Sequence, residues 1–379
     1  MAAVVTKAGW TWLRSGREFF RSALEAIDEA RRTVCLETYI FAVGSPGDSF
    51  REALVRARRR GASVRVLVDA FGAYGLPSGF WTPLLEAGGD VRRFNPLSLS
   101  RLGIRDHRKL LVCDDRVAFV GGFNIAPEYQ GDGVTSGWCD LGLRIEGSLT
   151  GELAESFDEM FDRADARQSL FVRFRKSEAR RTVGAAQEEL LLSGPGRGRS
   201  PIRRALERDL GSARSIQLMV AYFLPTGRLR RHLVRAARRG GHVRLLLAGK
   251  SDVAVSLLAA RSLYRRLLTA GIEIYEYQPQ VLHAKLFVLD DIVYAGSANL
   301  DPRSLNLNYE LMIRCHNPAL VAGARDLFNS TLAHCRRVTL EEWSGSRSFW
   351  ERLKQRWAYW LLVRVDPYVS RWQWRGLAD

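Results

Sequence analysis

The sequence predicts an α/β protein built from two duplicated domains related by pseudo-twofold symmetry. Three observations support this fold class: alternating helix-like and strand-like segments, an internal repeat with a period near 180 residues, and one polar motif present once in each half. The alternation is typical of helices layered on a mainly parallel or mixed sheet. Because the period is too long for a solenoid repeat, it favours two globular domains.

The internal repeat joins an arginine-rich helix end to a short apolar strand. It reads RARRRGASVRVLVDA from Arg56 and RAARRGGHVRLLLAG from Arg235, with eight of fifteen positions identical. In both copies a glycine follows the basic segment, where helices commonly end, and a Val/Leu strand begins after it. A second pair, LLEAGGDVRRFNP from Leu84 and LLTAGIEIYEYQP from Leu267, repeats the order of helix, glycine and strand.

The repeat divides the chain into four parts. We expect a first domain over residues 1–170, an Arg-rich flexible linker over 171–200 and a second domain over 201–335. Residues 336–379 form a basic tail that contains six of the ten tryptophans.

Charge and cysteine content limit the partners and the compartment. The 57 Lys and Arg against 41 Asp and Glu give a formal charge of +16, which favours an anionic membrane surface or nucleic acid as partner. Five scattered cysteines without a CxxC pair argue against a disulfide framework and a zinc ribbon, and favour reduced thiols in the cytosol. No signal-peptide core is present, and no uncharged apolar stretch reaches the about 20 residues of a bilayer span.

The tail contains a predicted amphipathic helix. Its apolar stripe comprises Trp350, Leu353, Trp357, Trp360 and Leu361. Aromatic residues on one face with cations elsewhere are typical of a helix at a membrane interface. Packing of the stripe onto the domains as core is the alternative. The run from Phe71 to Trp81 is similarly either an apolar lip of the site or a buried loop.

One motif in each half carries the predicted chemistry. It is H-x-K-x4-D, with His107, Lys109 and Asp114 in the first half and His283, Lys285 and Asp290 in the second. A turn of small residues ending in asparagine follows each copy, and an acidic residue follows the turn: Asn124 and Asp140, then Asn299 and Glu310. Because positions i and i+2 of a strand share a face, each histidine projects together with its lysine.

These groups suit phosphoryl transfer. Ammonium and amide donors bind phosphoryl oxygens, a neutral imidazole can attack phosphorus, and a second imidazolium can protonate the leaving oxygen. Each half supplies one histidine, so two halves packed face to face supply both to a single phosphate. Metal catalysis is the competing interpretation, but a lysine inside each motif would repel a divalent cation. The sequence therefore predicts one shared, metal-independent site without a cofactor.

The doubled motif resembles the phospholipase D superfamily, and the first half is similar to bacterial cardiolipin synthases that lack N-terminal transmembrane helices. The similar strings are LETYIF, RRGASVRVLVDAFG, RDHRKLLVCDDRVAFVGGFNIAPEY and WCDLGLRIEG, followed in the second half by LHAKLFVLDD and AGSANLDPRSLNLNYE. The resemblance covers nearly all of residues 15–335. It implies that each domain is a phospholipase D-type α/β/α sandwich and that both share one active site.

The resemblance also implies a role for each residue of the motif. His107 would form a covalent phosphatidyl-histidine and His283 would be the general acid and base, although the near symmetry of the halves leaves the reverse assignment open. The groups implied to hold the phosphate are Lys109, Lys285, Asn124, Asn299 and Ser297. The carboxylates implied to accept the Nδ1 protons of the histidines are Asp140 and Glu310. The motif acids Asp114 and Asp290 complete the catalytic set and are expected to brace the turn after each strand.

With two phosphatidylglycerols as substrates, the implied product is cardiolipin, and glycerol is released. Water as acceptor would make the same site a phospholipase D-type hydrolase, and other members of the superfamily cleave nucleic acid phosphodiesters. A catalytically inactive binding module is disfavoured because every expected chemical group is present. We expect anionic phospholipid substrates, peripheral attachment to the cytoplasmic face of the bacterial inner membrane, and no nucleic acid partner.

Overall fold

Two β-sheets, one from each half of the chain, form the frame of the molecule. A computed structural model describes residues 9–95, 103–164, 180–185, 187–196, 198–345 and 348–365. Over these residues the first half forms a seven-stranded sheet and the second half a nine-stranded sheet. The predicted α/β class with two duplicated units is therefore confirmed. Over the same residues, no helix is both long and apolar enough to cross a bilayer.

The first half alternates strands and helices as the sequence predicts. Its strands are β1 Trp10–Leu13, β2 Thr33–Thr38, β3 Ser63–Asp69, β4 Asp90–Phe94, β5 Leu110–Cys113, β6 Val117–Gly121 and β7 Gly142–Glu146. Its helices are α1 Gly16–Glu29, α2 Gly47–Arg59, α3 Thr82–Glu86 and α4 Leu149–Arg163.

The second half repeats this alternation and continues into the tail. Its strands are β8 Thr182–Ala185, β9 Glu188–Ser193, β10 Ser215–Val220, β11 His242–Ala248, β12 Glu273–Tyr277, β13 Lys285–Leu289, β14 Ile292–Gly296, β15 Glu310–Cys315 and β16 Cys335–Val338. Its helices are α5 Pro201–Ser212, α6 Gly227–Arg238, α7 Ala254–Arg261, α8 Tyr264–Thr269, α9 Pro302–Asn306, α10 Pro318–Leu332, α11 Leu340–Gly345 and α12 Phe349–Trp360, which continues as a π-helical turn, Leu361–Val365.

The two sheets share one strand order. In the first sheet β4, β3 and β2 are parallel, and β5, β6 and β7 continue antiparallel. In the second sheet β12, β11 and β10 are parallel, and β13, β14 and β15 continue antiparallel. The repeat in the sequence is thus a repeat of topology, and β5 and β13, which follow the two motifs, occupy equivalent central positions.

Glycine ends the equivalent helices of the two halves. Gly61 after α2 has φ +99° and Gly240 after α6 has φ +81°. Both lie in the left-handed region that side chains other than glycine rarely adopt, so the helix can stop there and reverse into the next strand. The glycine of the repeated segment therefore has a backbone role in each copy.

One apolar core crosses the boundary between the halves. It combines Trp12 of β1 and Phe157 of α4 with Leu286 of β13 and Leu320 of α10. The indole of Trp12 donates to the carbonyl oxygen of Leu320 at 3.2 Å. Separate cores pack α1, α2 and α3 on the outer face of the first sheet and α5, α6 and α8 on the outer face of the second. Helices α4 and α10 thus lie between the sheets and fix one half against the other.

The structure differs from the predicted boundaries in the range 171–200. Strands β8 and β9 lie within that range, and β9 pairs antiparallel with β15, so the second sheet begins there. Strand β9 pairs with β15 in the second sheet as β1 pairs with β7 in the first, so β9 and β1 occupy equivalent positions. Residues 171–179 of the expected linker lie outside the described residues.

Some of the aromatic residues of the tail pack on the second domain, and others are exposed. Trp343 of α11 is buried and its ring centroid lies 4.8 Å from that of Tyr264. The predicted helix from Trp350 forms as α12, and a capping box between Ser348 and Glu351 starts it. Trp350, by contrast, is exposed. The last two tryptophans, at positions 372 and 374, lie outside the described residues.

Asp114→Asn tests the backbone role of the motif acid. The carboxylate of Asp114, in the turn after β5, accepts hydrogen bonds from the backbone N–H groups of Arg31, Arg32 and Thr33 at 2.7–3.0 Å. An amide replaces these charge-assisted bonds poorly, so we expect a loss of about 1–2 kcal/mol in the free energy of unfolding, measured by denaturant titration. Asp115→Asn is the matched control, because Asp115 is exposed and its φ of 54° is also left-handed. Equal stability of the two variants would contradict the role.

Candidate active site

The two histidines lie at equivalent positions, just before β5 and β13. Lys109 immediately precedes β5, and Lys285 is the first residue of β13. Between His107 and Lys109, Arg108 points to the other side, where it forms a 3.0 Å ion pair with Glu37. Each histidine and its lysine therefore share one face, as the alternation of a strand predicts.

His107 is held by the second half of the chain. Its backbone N–H donates to the carbonyl oxygen of Tyr309 at 3.0 Å, and the N–H of Tyr309 donates to that of Arg105 at 2.9 Å. The next residue, Glu310, places its carboxylate 3.1 Å from Nδ1 of His107. Burial raises the pKa of Glu310 to about 7, against the opposing charge of Lys109.

His283 is held in the same way by the first half. Its backbone N–H donates to the carbonyl oxygen of Cys139 at 2.7 Å, and the N–H of Cys139 donates to that of Val281 at 2.8 Å. Asp140 follows and places Oδ2 2.6 Å from Nδ1 of His283. Burial raises the pKa of Asp140, but the neighbouring His283 and Lys285 outweigh it and hold that pKa below its usual value.

The two halves therefore exchange carboxylates. His107 of the first half pairs with Glu310 of the second, and His283 of the second pairs with Asp140 of the first. A carboxylate at Nδ1 favours the tautomer that has its proton there and directs Nε2 to the substrate. At His283, Nζ of Lys285 also lies 2.8 Å from Nδ1 and 3.0 Å from Nε2. The site is complete only where both halves meet.

Burial sets the protonation of the four basic groups. It lowers the pKa of His107 well below the usual value, and Lys109 and Lys285 act in the same direction. Burial and Lys285 also lower the pKa of His283, against the effect of Asp140. The pKa falls to about 7 for Lys109 and to about 8 for Lys285, for the same reason. Burial thus favours the neutral form of both rings and weakens proton binding by both lysines.

Both motif asparagines reach the site, and each is held by the backbone after β2 or β10. Oδ1 of Asn124 accepts the N–H of Ile40 at 3.1 Å, and Nδ2 donates to the hydroxyl of Tyr129 at 2.7 Å. Oδ1 of Asn299 accepts the N–H of Tyr222 at 3.4 Å. Each carbonyl oxygen is thus occupied, and each amide keeps an N–H that can donate to a ligand, since one of the two N–H groups of Asn124 already donates to Tyr129.

A single pocket of about 550 Å³ joins the two histidines. Four predicted residues line it: His107, His283, Asn124 and Asn299. The lysines lie behind the rings and are buried, and each Nζ donates to the carbonyl oxygen of the histidine in its own motif. The two lysines thus contribute positive charge at the base of the pocket rather than along its wall.

The walls of the pocket include residues that sequence reasoning did not select. Tyr39 lines the pocket, and its ring centroid lies 5.1 Å from that of His107. Trp138 is outside the lining, and its ring centroid lies 5.6 Å from that of His283. The Tyr129 hydroxyl lies 3.5 Å from Nε2 of His283. Further polar lining comes from Tyr222, Asp252, Arg105 and Arg303. Only the pair Tyr39 and Tyr222 carried a signal, because both stand at the ends of equivalent strands.

Besides the two lysines and the carboxylates of Asp140 and Glu310, three more predicted residues do not line the pocket. Asp114 and Asp290 lie in the turns after β5 and β13, where their carboxylates accept backbone N–H groups. Ser297 is buried and donates its hydroxyl to Glu310. Its geometry therefore supports the carboxylate of the second half rather than a bound phosphate.

A steric constraint explains why the first half has glycine at position 122. Gly122 stands in the first half where Ser297 stands in the second. A Cβ added at Gly122 would lie 2.1 Å from Oδ1 of Asp140. The carboxylate of Asp140 thus fills the space that a side chain at position 122 would need.

Comparisons with known proteins agree with this arrangement. Residues 23–164 and 206–332 match the family described as "Cardiolipin synthase, PLD-like domain". The chain is 32% identical to cardiolipin synthase B of Salmonella typhi, covering 97% of this chain and 92% of that protein. It is 31% identical to cardiolipin synthase 1 of Bacillus anthracis, covering 86% and 67%.

A solved structure shares the fold across almost the whole chain. The crystal structure of phosphatidylserine synthase from Haemophilus influenzae superposes with a TM-score of 0.76 at 15% identity, covering 97% of this chain and 96% of that one. At this identity, the likeness concerns the arrangement of the two sheets and their helices alone.

Histidine NMR tests the protonation that burial imposes. In protein labelled at histidine ¹³Cε1, with signals assigned through His107→Ala and His283→Ala, we expect both rings to stay neutral from pH 8 to pH 6, because the pKa of each is lowered. N-acetylhistidine in the same sample provides the reference titration. A midpoint at or above pH 6.5 for either ring would contradict the burial argument.

Proposed function

The chain belongs to the family of cardiolipin synthases with phospholipase D-like domains, and we propose that it joins two phosphatidylglycerol molecules into cardiolipin and releases glycerol. Membership of this family makes it a phosphatidyltransferase that acts on phospholipids. The observation that carries the finer proposal is the single pocket onto which both histidines face, each supported by a carboxylate of the opposite half.

The first proposed step moves the phosphatidyl group to the protein. Nε2 of neutral His107 attacks phosphorus, a P–N bond forms, and the bond from phosphorus to the headgroup glycerol oxygen breaks. His283 gives its Nε2 proton to that oxygen, so glycerol leaves as a neutral alcohol. The negative charge of the bound phosphodiester and of Asp140 stabilises the proton that His283 must carry at the start of this step.

The second proposed step returns the protein to its starting state. A hydroxyl of the second phosphatidylglycerol gives its proton to His283 and attacks phosphorus. The P–N bond breaks, its electron pair returns to His107, and cardiolipin forms. Lys109 and Lys285, with the amides of Asn124 and Asn299, stabilise the charge on the phosphoryl oxygens in both steps.

The two carboxylates support the assignment of His107 as nucleophile. Asp140 is held ionised, with its pKa below the usual value, at 2.6 Å from the ring of His283. It therefore stabilises an imidazolium on His283, as a general acid requires. The pKa of Glu310 is raised by burial to about 7, so this group favours a charged ring on His107 less strongly. His107 accordingly remains the neutral base that attacks.

We also propose that the protein is peripheral on the cytoplasmic face of the membrane, and the formal charge of +16 supports its attraction to an anionic leaflet. The exposed apolar residues Phe71 and Val253, which line the pocket, support access from a lipid surface. Phe80 and Trp81 of the same predicted lip are buried and leave Phe71 and Tyr74 exposed.

Product analysis tests the reaction. Purified protein is incubated with phosphatidylglycerol vesicles and a chelator, and lipids are identified by mass; we expect cardiolipin and stoichiometric glycerol. His107→Ala and His283→Ala should each lower turnover at least about 10³-fold, because each removes one partner of the two-step transfer. His242→Ala, an exposed histidine outside the pocket, is the control.

The products also separate the alternatives. Phosphatidic acid without cardiolipin would identify a hydrolase, and cleavage of DNA without lipid turnover would identify a nuclease. Substantial activity in either histidine variant would contradict the two-histidine scheme. A phosphatidyl adduct on the peptide containing His107, trapped by a neutral quench, would establish the nucleophile, and an adduct on the peptide containing His283 would reverse the roles.

The pH dependence of kcat/KM tests the buried lysines. The lowered pKa of Lys109, about 7, and that of Lys285, about 8, mean that positive charge is lost as pH rises through these values. Because kcat/KM reports the free enzyme, we expect it to fall above about pH 7–8. Short-chain phosphatidylglycerol is assayed from pH 6 to 9, with intrinsic fluorescence as the control for folding. A flat profile would contradict the lowered lysine pKa values.

A further inference from the structure

Helix α12 presents an exposed apolar face. Its members, called here the aromatic face, are Phe349, Trp350, Leu353, Trp357 and Trp360, each 47–67% exposed. At about 100° of rotation per residue, these five side chains lie within an arc of about 100° on one side of the helix. Five large apolar side chains on one exposed arc indicate an interaction surface rather than scattered surface residues.

The opposite face of α12 fixes the helix to the second domain. Ala358 is fully buried in a cluster with Ala259 of α7 and Leu224. The hydroxyl of Tyr359 accepts a hydrogen bond from Arg230 of α6 at 3.0 Å. Gln355 of the same face is also buried. The aromatic face therefore points outward from a helix that is already docked. Of the predicted stripe, Trp350, Leu353, Trp357 and Trp360 are exposed and do not form core, whereas Leu361 is partly buried.

Positive charge borders the aromatic face on both sides. Lys354 flanks one edge, Arg352 and Arg356 flank the other, and all three are exposed. Arg364 is exposed in the π-helical turn that follows. An apolar stripe between rows of cations complements a lipid surface with anionic headgroups. Pairing with the same face of a second copy would oppose these cations to their equivalents.

The C-terminal end of α12 adjoins the pocket. Leu362, in the turn that extends α12, lines the pocket together with Leu224 and Val253. On the other side of the pocket, Phe71 also lines it and is 56% exposed. Leu362 packs on the docked side of the helix, against the cluster of Ala358 and Leu224. The same helix therefore carries the aromatic face on its outer side and borders the pocket at its C-terminal end.

We propose that the aromatic face of α12 docks the enzyme on an anionic bilayer and holds the pocket opening against the lipid headgroups. The proposal deepens the proposed function, since it names the surface from which the phospholipid enters. Its consequence is that turnover of lipid in a bilayer depends on the aromatic face, whereas turnover of a dissolved short-chain lipid does not.

The test compares the full chain with Trp350→Gln/Trp357→Gln. Binding is measured by co-sedimentation with vesicles of phosphatidylglycerol and phosphatidylethanolamine, and with vesicles of phosphatidylcholine alone. We expect the wild type to prefer the anionic vesicles and the double variant to bind them about tenfold or more weakly. Leu85→Gln is the matched control, because Leu85 is an exposed apolar residue of α3 that does not line the pocket.

Turnover on two forms of the substrate separates docking from chemistry. The double variant should lose activity on vesicles about as far as it loses binding, yet retain activity on monomeric short-chain phosphatidylglycerol. Its thermal midpoint should match that of the wild type, because both tryptophans are exposed. Equal loss on both substrate forms would overturn the proposal, as would unchanged vesicle binding.

Two further outcomes are distinguishable. If the wild type binds anionic vesicles through the aromatic face but forms no cardiolipin from any substrate, the proposed function fails and the docking surface stands. If sedimentation velocity shows a wild-type dimer that the double variant abolishes, without vesicle binding by the wild type, the surface joins two copies of the chain and the membrane proposal is wrong.

Discussion

The exchange of carboxylates between the two halves is the constraint on which the site depends. Glu310 reaches across to His107 and Asp140 reaches across to His283, and backbone hydrogen bonds beside each pair fix the approach. Buried charges of this kind are tolerated only where partners are placed accurately, because removing one partner leaves the other desolvated. The distances between each histidine and its carboxylate therefore depend on how the two domains are positioned. The shared core of α4, α10 and the facing strands holds that position.

Much of this arrangement could be predicted from the sequence, because the two repeats of the chain can be aligned with each other. The repeat aligned His107 with His283 and placed each beside its lysine, and strand alternation explained why Arg108 and Ala284 could differ between copies. The sequence predicted a mainly parallel or mixed sheet, and the structure supplied the strand order. The repeat could not show which acid pairs with which histidine. Each acid follows the motif of its own half, and sequence distance alone does not reveal whether it reaches the histidine of that half or of the other. That pairing depends on long-range packing between the halves.

Other differences arose where local pattern and tertiary context diverge. The glycine- and arginine-rich composition of 171–200 favoured a linker, yet β8 and β9 pair there because the edge of β15 needs a partner strand. The hydroxyl of Ser297 is chemically suited to bind a phosphate, but in the structure it donates its hydrogen bond to the buried carboxylate of Glu310. The stripe of α12 was equally compatible with core and with membrane until Ala358 identified the opposite side as the packed one.

The size of the pocket bears on how much of a lipid the enzyme must lift. About 550 Å³ suits a drug-sized group, such as a headgroup with its phosphate, and is smaller than a headgroup with two acyl chains. Pulling a 16-carbon chain wholly into water would cost on the order of 12 kcal/mol, at about 0.8 kcal/mol per CH₂. In the proposed docked position, the apolar rim from Phe71 to Leu362 would let the hydrocarbon stay in contact with the bilayer while only the phosphate enters the pocket, which avoids that cost.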